Sequence, residues 1–211
     1  MKSSRGVRSQ GVREAAILVG GASSRMGRDK ALIEFESETL LARALHRFGT
    51  GFERLLVSVG PDGPTSEVEA VVASARDTGL RVDFVLDRRP PQTGPLAALE
   101  SVLEALEGES VFLLAVDCPF VSLDFARSLC EAHAARGVRA SIPAWSKGVE
   151  PSVAVYRRDL GADISRRIDE GERRLRSLID LPGVETLDVE TWDDVDPASL
   201  FRNWNSPDDV S

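Results

Sequence analysis

Several residue types and patterns are scarce in this sequence, and each scarcity excludes a class of protein. The 211 residues include two cysteines, Cys118 and Cys130, whose spacing fits neither a metal site nor a disulfide framework. The longest uninterrupted apolar run, Val111–Val116, is far shorter than the roughly 20 residues that a membrane helix needs. A formal net charge of −8 disfavours sequence-independent binding to nucleic acid. We therefore expect a cytoplasmic protein that binds neither membrane nor nucleic acid.

The N-terminal residues lack the apolar segment that would make them a secretory signal. They carry Lys2, Arg5, Arg8 and Arg13 instead, and we interpret residues 1–14 as a flexible basic arm. An arm that contacts a partner is the alternative. The remaining residues, 15–211, suit a single domain with a sizeable core.

Apolar runs of strand length alternate with segments of helical periodicity along the chain. The predicted strands are Ala15–Val19, Leu55–Val59, Val82–Leu86, Val111–Val116, Arg139–Pro143, Ser152–Tyr156 and Val184–Val189. The predicted helices are Thr39–Phe48, Ser66–Ala75, Pro95–Leu106, Ser122–Arg136 and Asp163–Ile179, the last interrupted near Gly171. This alternation predicts an α/β fold with three α/β/α layers and a mostly parallel, Rossmann-like sheet. Ligands of such sheets bind at the carboxyl ends of strands, so functional residues are expected after Val19, Leu86 and Val116.

The segment after the first predicted strand, Gly20–Lys30, has the composition of an anion-binding loop. Its glycines let the backbone approach a ligand closely, and successive N–H groups form a concave site for phosphate. Arg25 and Lys30 add two positive charges. The loop lacks the Gly-Lys-Ser/Thr of a P-loop and the Gly-x-Gly-x-x-Gly of a dinucleotide site. A glycine-rich surface turn with two solvated cations is the alternative.

Two carboxylates follow other predicted strands. Asp87 ends the third strand, and the Gly94-Pro95 pair behind it opens a helix whose free N–H groups favour an anion. Asp117 follows the most hydrophobic strand, at a place suited to Mg²⁺, which prefers oxygen ligands and shared phosphates. Each carboxylate is alternatively a structural group of a strand-end turn. Cys118 lacks a basic neighbour in sequence and is interpreted as a packing residue.

The complete string Leu-Val-Gly-Gly-Ala-Ser-Ser-Arg-Met-Gly-Arg-Asp-Lys, residues 18–30, closely resembles the signature of the molybdenum cofactor guanylyltransferases. The family pattern is Leu-Ala-Gly-Gly-x-Ser-x-Arg-Met-Gly-x-Asp-Lys, from which this chain departs at Val19. Further similarity lies at Asp87, at Gly-Pro-Leu-Ala-Ala, where Ala98 replaces a usual glycine, and at Asp117-Cys118-Pro119-Phe120. The resemblance spans nearly the whole chain, from about Ala15 to Asp209.

Later segments resemble the family's region for the second substrate. Asn203-Trp204-Asn205-Ser206-Pro207-Asp208-Asp209 is similar to the family's Asn-x-Asn-Thr-Pro-x-Glu/Asp, which implies that Asn203 and Asn205 reach the active site. Glu150 stands where the family commonly has glutamine before proline, so its role is open. Arg173, Arg174 and Arg176 either meet an anionic pterin phosphate or form a solvated face.

The resemblance implies a single nucleotidyltransferase domain over residues 15–211, of the nucleotide-diphospho-sugar transferase type. It implies that GMP passes from GTP to molybdopterin, with Mg²⁺ on Asp117 and with Lys30, Arg25 and Asp117 as the catalytic residues. The implied nucleotide site consists of Leu18, Val19, Gly20, Gly21, Lys30, Asp87, Gly94 and Asp117. Asn203, Asn205 and Arg174 are the implied contacts to molybdopterin. Partners implied beyond the substrates are a molybdenum insertase and apo-molybdoenzymes or their chaperones.

Two other functions remain open. A cytidylyltransferase acting on molybdopterin or on a small alcohol phosphate usually has Ala-Gly where this chain has Gly20-Gly21, and Gly20 leaves more room for a purine. A non-catalytic carrier that delivers molybdopterin is the second alternative. The intact Lys30 and Asp117 disfavour it, because delivery alone needs neither a metal nor a triphosphate.

Overall fold

The structure is a computed structural model that describes residues 11–19 and 29–204. In chain order its strands are β1 Glu14–Leu18, β2 Glu34–Phe35, β3 Glu38–Thr39, β4 Arg54–Val59, β5 Val82–Leu86, β6 Ser110–Ala115, β7 Ala140–Trp145, β8 Gly148–Val149, β9 Val153–Arg157 and β10 Val184–Asp188. Its α-helices are α1 Leu40–Gly49, α2 Ser66–Asp77, α3 Pro95–Ala105, α4 Leu123–Arg136, α5 Gly161–Asp169 and α6 Pro197–Leu200. Short 3₁₀ helices span Lys30–Leu32, Arg158–Leu160 and Leu175–Asp180.

One large sheet organises the described residues. Its strands follow the order β10-β7-β9-β6-β1-β4-β5, with β8 paired to β7 and β2–β3 forming a separate hairpin. Strand β9 runs antiparallel to both β6 and β7, whereas the pairs β6–β1, β1–β4, β4–β5 and β7–β10 are parallel. The carboxyl ends of β1, β4, β5, β6, β7 and β10 therefore share one edge of the sheet. The predicted α/β class with a mostly parallel sheet is confirmed.

Side-chain alternation along β1 explains the three layers. Its five residues are all buried, as expected for a central strand covered on both faces. Ala15 and Ile17 pack into a core with α1, α2 and α4, whereas Ala16 and Leu18 pack into a second core with α3 and α5. The sheet is thus the middle layer, covered by helices on both faces.

Helix starts are determined by local sequence. Thr39, Thr65 and Ser122 accept hydrogen bonds from backbone N–H groups in the first turns of α1, α2 and α4. Helix α3 has no side-chain cap; it begins with Pro95 directly after Gly94, whose φ is 89°. Its first turn is therefore determined by proline geometry and by a residue that tolerates positive φ.

The predicted helix Asp163–Ile179 is wrong beyond its first half. The interruption near Gly171 is confirmed, because that glycine has a φ of 92° and α5 ends at Asp169. Glu172 then accepts hydrogen bonds from the N–H groups of Arg173 and Arg174, which competes with helical bonding. The chain resumes only as the 3₁₀ helix Leu175–Asp180.

Candidate functional site

Backbone hydrogen bonds bring four strand ends together at the carboxyl edge of the sheet. The N–H of Val19 donates to Ser58 O over 3.0 Å, and the N–H of Val116 donates to Leu18 O over 3.1 Å. The N–H of Asp87 donates to Val59 O over 3.0 Å. The residues that follow β1, β5 and β6 therefore lie along one line, as the strand-end rule predicts.

Lys30 and Asp117 form an ion pair at the centre of this edge. Lys30 Nζ lies 3.0 Å from Asp117 Oδ2, and the two side chains are 28% and 22% exposed. Asp29 orders the lysine segment, because its carboxylate accepts a hydrogen bond from the N–H of Ala31. Since both charged groups keep contact with solvent, an anion can reach the ammonium group and a cation can reach the carboxylate.

Asp87 occupies a drier position on the β5 side of the edge. Burial raises the pKa of its carboxyl group to about 6, and the nearby Ser58 hydroxyl, which donates to Oδ1 over 3.4 Å, acts in the opposite direction. Ser58 itself is 1% exposed. Among residues 11–19 and 29–204, the Ser58 hydroxyl is the hydrogen-bond donor to this carboxylate, whose remaining lone pairs suit the N–H groups of a ligand.

Arg47 of α1 supports the turn that carries Asp117, and this contribution was not predicted from sequence. Its guanidinium group donates to Pro119 O over 2.6 Å and to Val121 O over 2.7 Å. Burial lowers the pKa of Arg47. An arginine within an amphipathic helix looks like any solvated cation in the sequence, so no sequence signal identified it.

The C-terminal segment closes over the same turn. The N–H of Trp204 donates to Asp117 O over 2.8 Å, and Cys118 Sγ lies 3.3 Å from Asn203 Oδ1. The Trp204 ring packs edge-on against Phe35, with 4.6 Å between ring centroids. Asn203 is therefore brought next to the Asp117 turn. Burial raises the pKa of the Cys118 thiol, which keeps it protonated and agrees with a packing role.

The start of α3 is closed by the segment that follows α5. A Cβ atom at Gly94 would lie 2.8 Å from Arg173 O, which also accepts a hydrogen bond from the N–H of Leu96. Arg173 further donates to Gln92 O over 3.0 Å. Within the described part of the chain, the side chain of Arg174 contacts Glu172 and is 83% exposed, so no contact joins it to Asp117.

Glu150 lies between the carboxyl ends of β6 and β7. Its Oε1 accepts a hydrogen bond from Trp145 Nε1 over 3.0 Å, and burial raises the pKa of its carboxyl group. The Trp145 ring lies 6.1 Å from that of Phe201 in the C-terminal segment. Glu150 therefore belongs to the same rim as Asn203 and the Asp117 turn.

Four predicted site residues, Gly20, Gly21, Arg25 and Asn205, lie outside the described residues. Among residues 11–19 and 29–204, no group of three or more histidine, cysteine or acidic side chains could hold a metal. The single open carboxylate of Asp117 nevertheless fits Mg²⁺, which commonly takes one or two protein carboxylates and completes its shell with water and substrate phosphates. The described part of the chain contains no helix with the length and apolar character to cross a membrane.

The open strand ends, the lysine–aspartate pair and the half-buried Asp87 define a nucleotide-binding α/β protein. A family model described as the MobA-like NTP transferase domain matches residues 15–189. A "probable molybdenum cofactor guanylyltransferase" of Methanosarcina acetivorans is 31% identical, over 94% of this chain and 88% of that protein. A protein of the same name from Methanosarcina mazei is 30% identical over the same shares. The chain therefore belongs to the MobA-like NTP transferase family and is a nucleotidyltransferase.

Solved structures agree on the fold. The molybdopterin-guanine dinucleotide biosynthesis protein A of Archaeoglobus fulgidus superposes with a TM-score of 0.72 at 24% identity, covering 93% of this chain and 94% of that one. The 4-diphosphocytidyl-2C-methyl-D-erythritol synthase of Anaerococcus prevotii gives 0.67 at 13% identity, over 94% and 92%. Because a cytidylyl enzyme has the same fold, the fold alone does not select the base.

Proposed function

We propose that this enzyme transfers GMP from GTP to the phosphate of molybdopterin, forming the guanine dinucleotide form of the cofactor and releasing pyrophosphate. The observation that carries the proposal is the Lys30–Asp117 pair, 3.0 Å apart where the ends of β1 and β6 meet. The names of the Methanosarcina relatives support guanine as the base and molybdopterin as the acceptor. The free cysteines Cys118 and Cys130 suit a reducing cytoplasm.

The acceptor phosphate is already anionic at neutral pH, so the reaction needs no side-chain nucleophile or general base. A phosphate oxygen of molybdopterin attacks the α-phosphorus of GTP, and the bond from that phosphorus to the bridging oxygen breaks. Pyrophosphate leaves with the electron pair. The enzyme's contribution is to position the two phosphates and to stabilise the developing charge.

Each residue has a distinct task in this scheme. Lys30, with Arg25, neutralises the triphosphate and the leaving pyrophosphate. Asp117 would hold Mg²⁺, and the metal would supply positive charge that stabilises the phosphates. The backbone of Leu18 and Val19 frames the nucleotide with Gly20 and Gly21, and Asp87 accepts N–H groups of the base. Gly94, at the start of α3, is assigned to the nucleotide site in this proposal.

Molybdopterin occupies the other side of Asp117 in this proposal. Asn203, with Asn205, contacts the acceptor from the C-terminal segment, and Arg174 approaches its phosphate. The guanidinium group of Arg174 is largely exposed and pairs with Glu172 over 3.4 Å, a contact that a phosphate would replace. A molybdenum insertase and apo-molybdoenzymes or their chaperones would supply the substrate and receive the product.

A nucleotide panel tests the proposal. Pyrophosphate release is measured with molybdopterin and Mg²⁺ in the presence of GTP, CTP, ATP or UTP. We expect release with GTP alone. Release with CTP would instead identify a cytidylyltransferase, and tight molybdopterin binding without release from any nucleotide would identify a carrier.

Two substitutions test the roles of the central pair. Lys30→Ala and Asp117→Asn should each lower kcat by about 100-fold or more, because each removes charge stabilisation from the transition state. Asp77→Asn, at an exposed position near the end of α2, is the matched control and should keep full activity. A correctly folded Lys30→Ala or Asp117→Asn enzyme with normal turnover would refute the mechanism.

A further inference from the structure

The proposed mechanism uses only part of the carboxyl edge. The proposed nucleotide contacts lie at the end of β1 and after β5, and Asp117 follows β6. Beyond β6 the sheet continues with β9 and then β7. The turn at residues 150–152 leads into β9 and lies between the carboxyl ends of β6 and β7. The N–H of Ala115 donates to Ser152 O over 2.9 Å, and the N–H of Glu150 donates to Pro143 O over 2.9 Å. This turn therefore borders Asp117 on the side opposite Asp87.

Glu150 is the acidic group that this turn presents. Within the described chain, Trp145 Nε1 is the one donor to its carboxylate, and it occupies Oε1. An ionised carboxylate accepts about four hydrogen bonds. The carboxylate is half-buried and oriented by Trp145, which leaves Oε2 for a further donor, and ionisable groups in such surroundings concentrate at binding sites.

The chemistry of the acceptor matches this carboxylate. A pterin ring carries an amino group and an adjacent ring N–H, which together form a pair of donors on one edge. A carboxylate can accept both donors at once in charge-assisted hydrogen bonds. Guanine has the same pair, which Asp87 accepts in the proposed nucleotide site. The edge thus has one carboxylate on each side of Asp117, and the two proposed substrates carry the same pattern of donors.

We propose that Glu150 binds the amino and N–H edge of the pterin ring of the acceptor and thereby selects the second substrate. This inference rests on the proposed function. Trp145 is its positioning residue, because its indole N–H orients the carboxylate while its ring contacts Phe201 of the C-terminal segment. A glutamine at position 150, which resembles the family pattern, retains one acceptor and loses the charge.

The test compares two isosteric substitutions, one on each side of Asp117. Dissociation constants for molybdopterin and for GTP are measured by anaerobic titration of wild type, Glu150→Gln and Asp87→Asn. Glu150→Gln should weaken molybdopterin binding about tenfold and leave GTP binding unchanged, since a charge-assisted pair of hydrogen bonds becomes a neutral contact. Asp87→Asn should show the reverse pattern. Glu109→Gln removes the same charge at the opposite edge of the sheet and should bind both substrates normally.

Trp145→Phe separates the positioning role from a structural one. It removes the indole donor and keeps an aromatic ring beside Phe201, so molybdopterin binding should weaken while the Tm stays near that of wild type. The inference would be overturned if the Glu150→Gln variant bound molybdopterin as tightly as wild type does. A change in the Mg²⁺ requirement with unchanged molybdopterin affinity would also overturn it, in favour of a metal ligand. Wild-type enzyme that binds no molybdopterin would refute the proposed function as well.

Discussion

At the scale of single residues, the acidic groups of the site differ in the partners that surround them. Asp117 is open to solvent and paired with Lys30, whereas Asp87 is partly removed from water and receives one weak hydrogen bond from Ser58. The Asp117 carboxylate, which keeps contact with solvent, can exchange its lysine partner for a metal. A drier carboxylate interacts more strongly with the N–H groups of a base. The difference in environment therefore matches the difference in the proposed roles.

The raised pKa of Asp87 predicts a pH dependence of nucleotide binding. As the pH falls through about 6, the carboxyl group gains a proton and stops accepting from the base, so GTP affinity should fall. Asp87→Asn should lack this component and should distinguish GTP poorly from ITP, which has no 2-amino group. Because GTP also titrates in this range, the difference between the two proteins is the quantity to measure. Equal pH profiles for both would contradict the role of Asp87.

The same substitution should stabilise the folded protein without ligand. A carboxyl group whose pKa is higher in the folded protein than in the unfolded chain destabilises the fold once it ionises. For Asp87 this loss of stability grows as the pH rises from 3.8, the pKa in the unfolded chain, to about 6, and it persists above that range. Asp87→Asn removes the cost, and we expect a gain of about 1–2 kcal/mol at neutral pH after allowance for solvent screening. Thermal unfolding at about pH 7.5 checks the sign.

At the scale of elements, the start of α3 depends on a close approach between two segments. Gly94 has a φ of 89°, and a Cβ atom added to it would lie only 2.8 Å from Arg173 O. Gly94→Ala should therefore introduce backbone strain and also push the Arg173 segment away from α3. We expect a loss of about 2–4 kcal/mol in the free energy of unfolding, together with weaker GTP binding.

Gly137→Ala is the control for Gly94→Ala. Gly137 ends α4 with a φ of 64°, but a Cβ atom there would meet nothing within 4 Å. This variant should lose only about 1 kcal/mol, the cost of the left-handed backbone. Denaturant unfolding measures both values. If the two losses were equal, the contact with Arg173 would have no energetic importance.

Elements with a strong periodic pattern were predictable, and those defined by tertiary contacts were not. The buried runs of β1 and β6 and the capped helices α1 and α4 were identified because their residues follow one dominant signal. The hairpin β2–β3 was missed because its strands are two residues long and its turn has positive φ at Glu36 and Ser37, without glycine or asparagine. The segment after Gly171 was predicted as helix because its side-chain bonds do not appear in a periodicity.

The site shows the same division between local and tertiary information. The positions of Asp87 and Asp117 follow from the strand-end rule. The 3.0 Å pairing of Asp117 with Lys30 joins residues 87 positions apart in sequence, and the support from Arg47 depends on the packing of α1. Sequence reasoning left the role of Glu150 open, because its position between β6 and β7 follows from the antiparallel insertion of β9.

At the scale of the whole molecule, acid stability should depend on one of the two histidines. His133 of α4 is 4% exposed, and its Nδ1 lies 3.0 Å from the hydroxyl oxygen of Ser141 on β7. Burial lowers the pKa of this histidine to about 4, and the positive charge of Arg157 acts in the same direction. The imidazole is therefore neutral in the folded protein at physiological pH.

The lowered pKa of His133 determines whether stability rises or falls with pH. Above about pH 6.5 the ring is neutral in both states, and between about 6.5 and 4 only the unfolded chain gains the proton, so stability should fall as the pH falls. The loss from His133 should reach about 3 kcal/mol at about pH 4. Denaturant unfolding across this range should show a shallower decline for His133→Asn than for wild type. His46→Asn, which changes the exposed histidine beside Glu38, is the control and should follow the wild-type slope. If stability fell equally with pH in wild type and in His133→Asn, the buried ring would take no part in the proton uptake that accompanies unfolding. Other groups would then cause the loss of stability in acid.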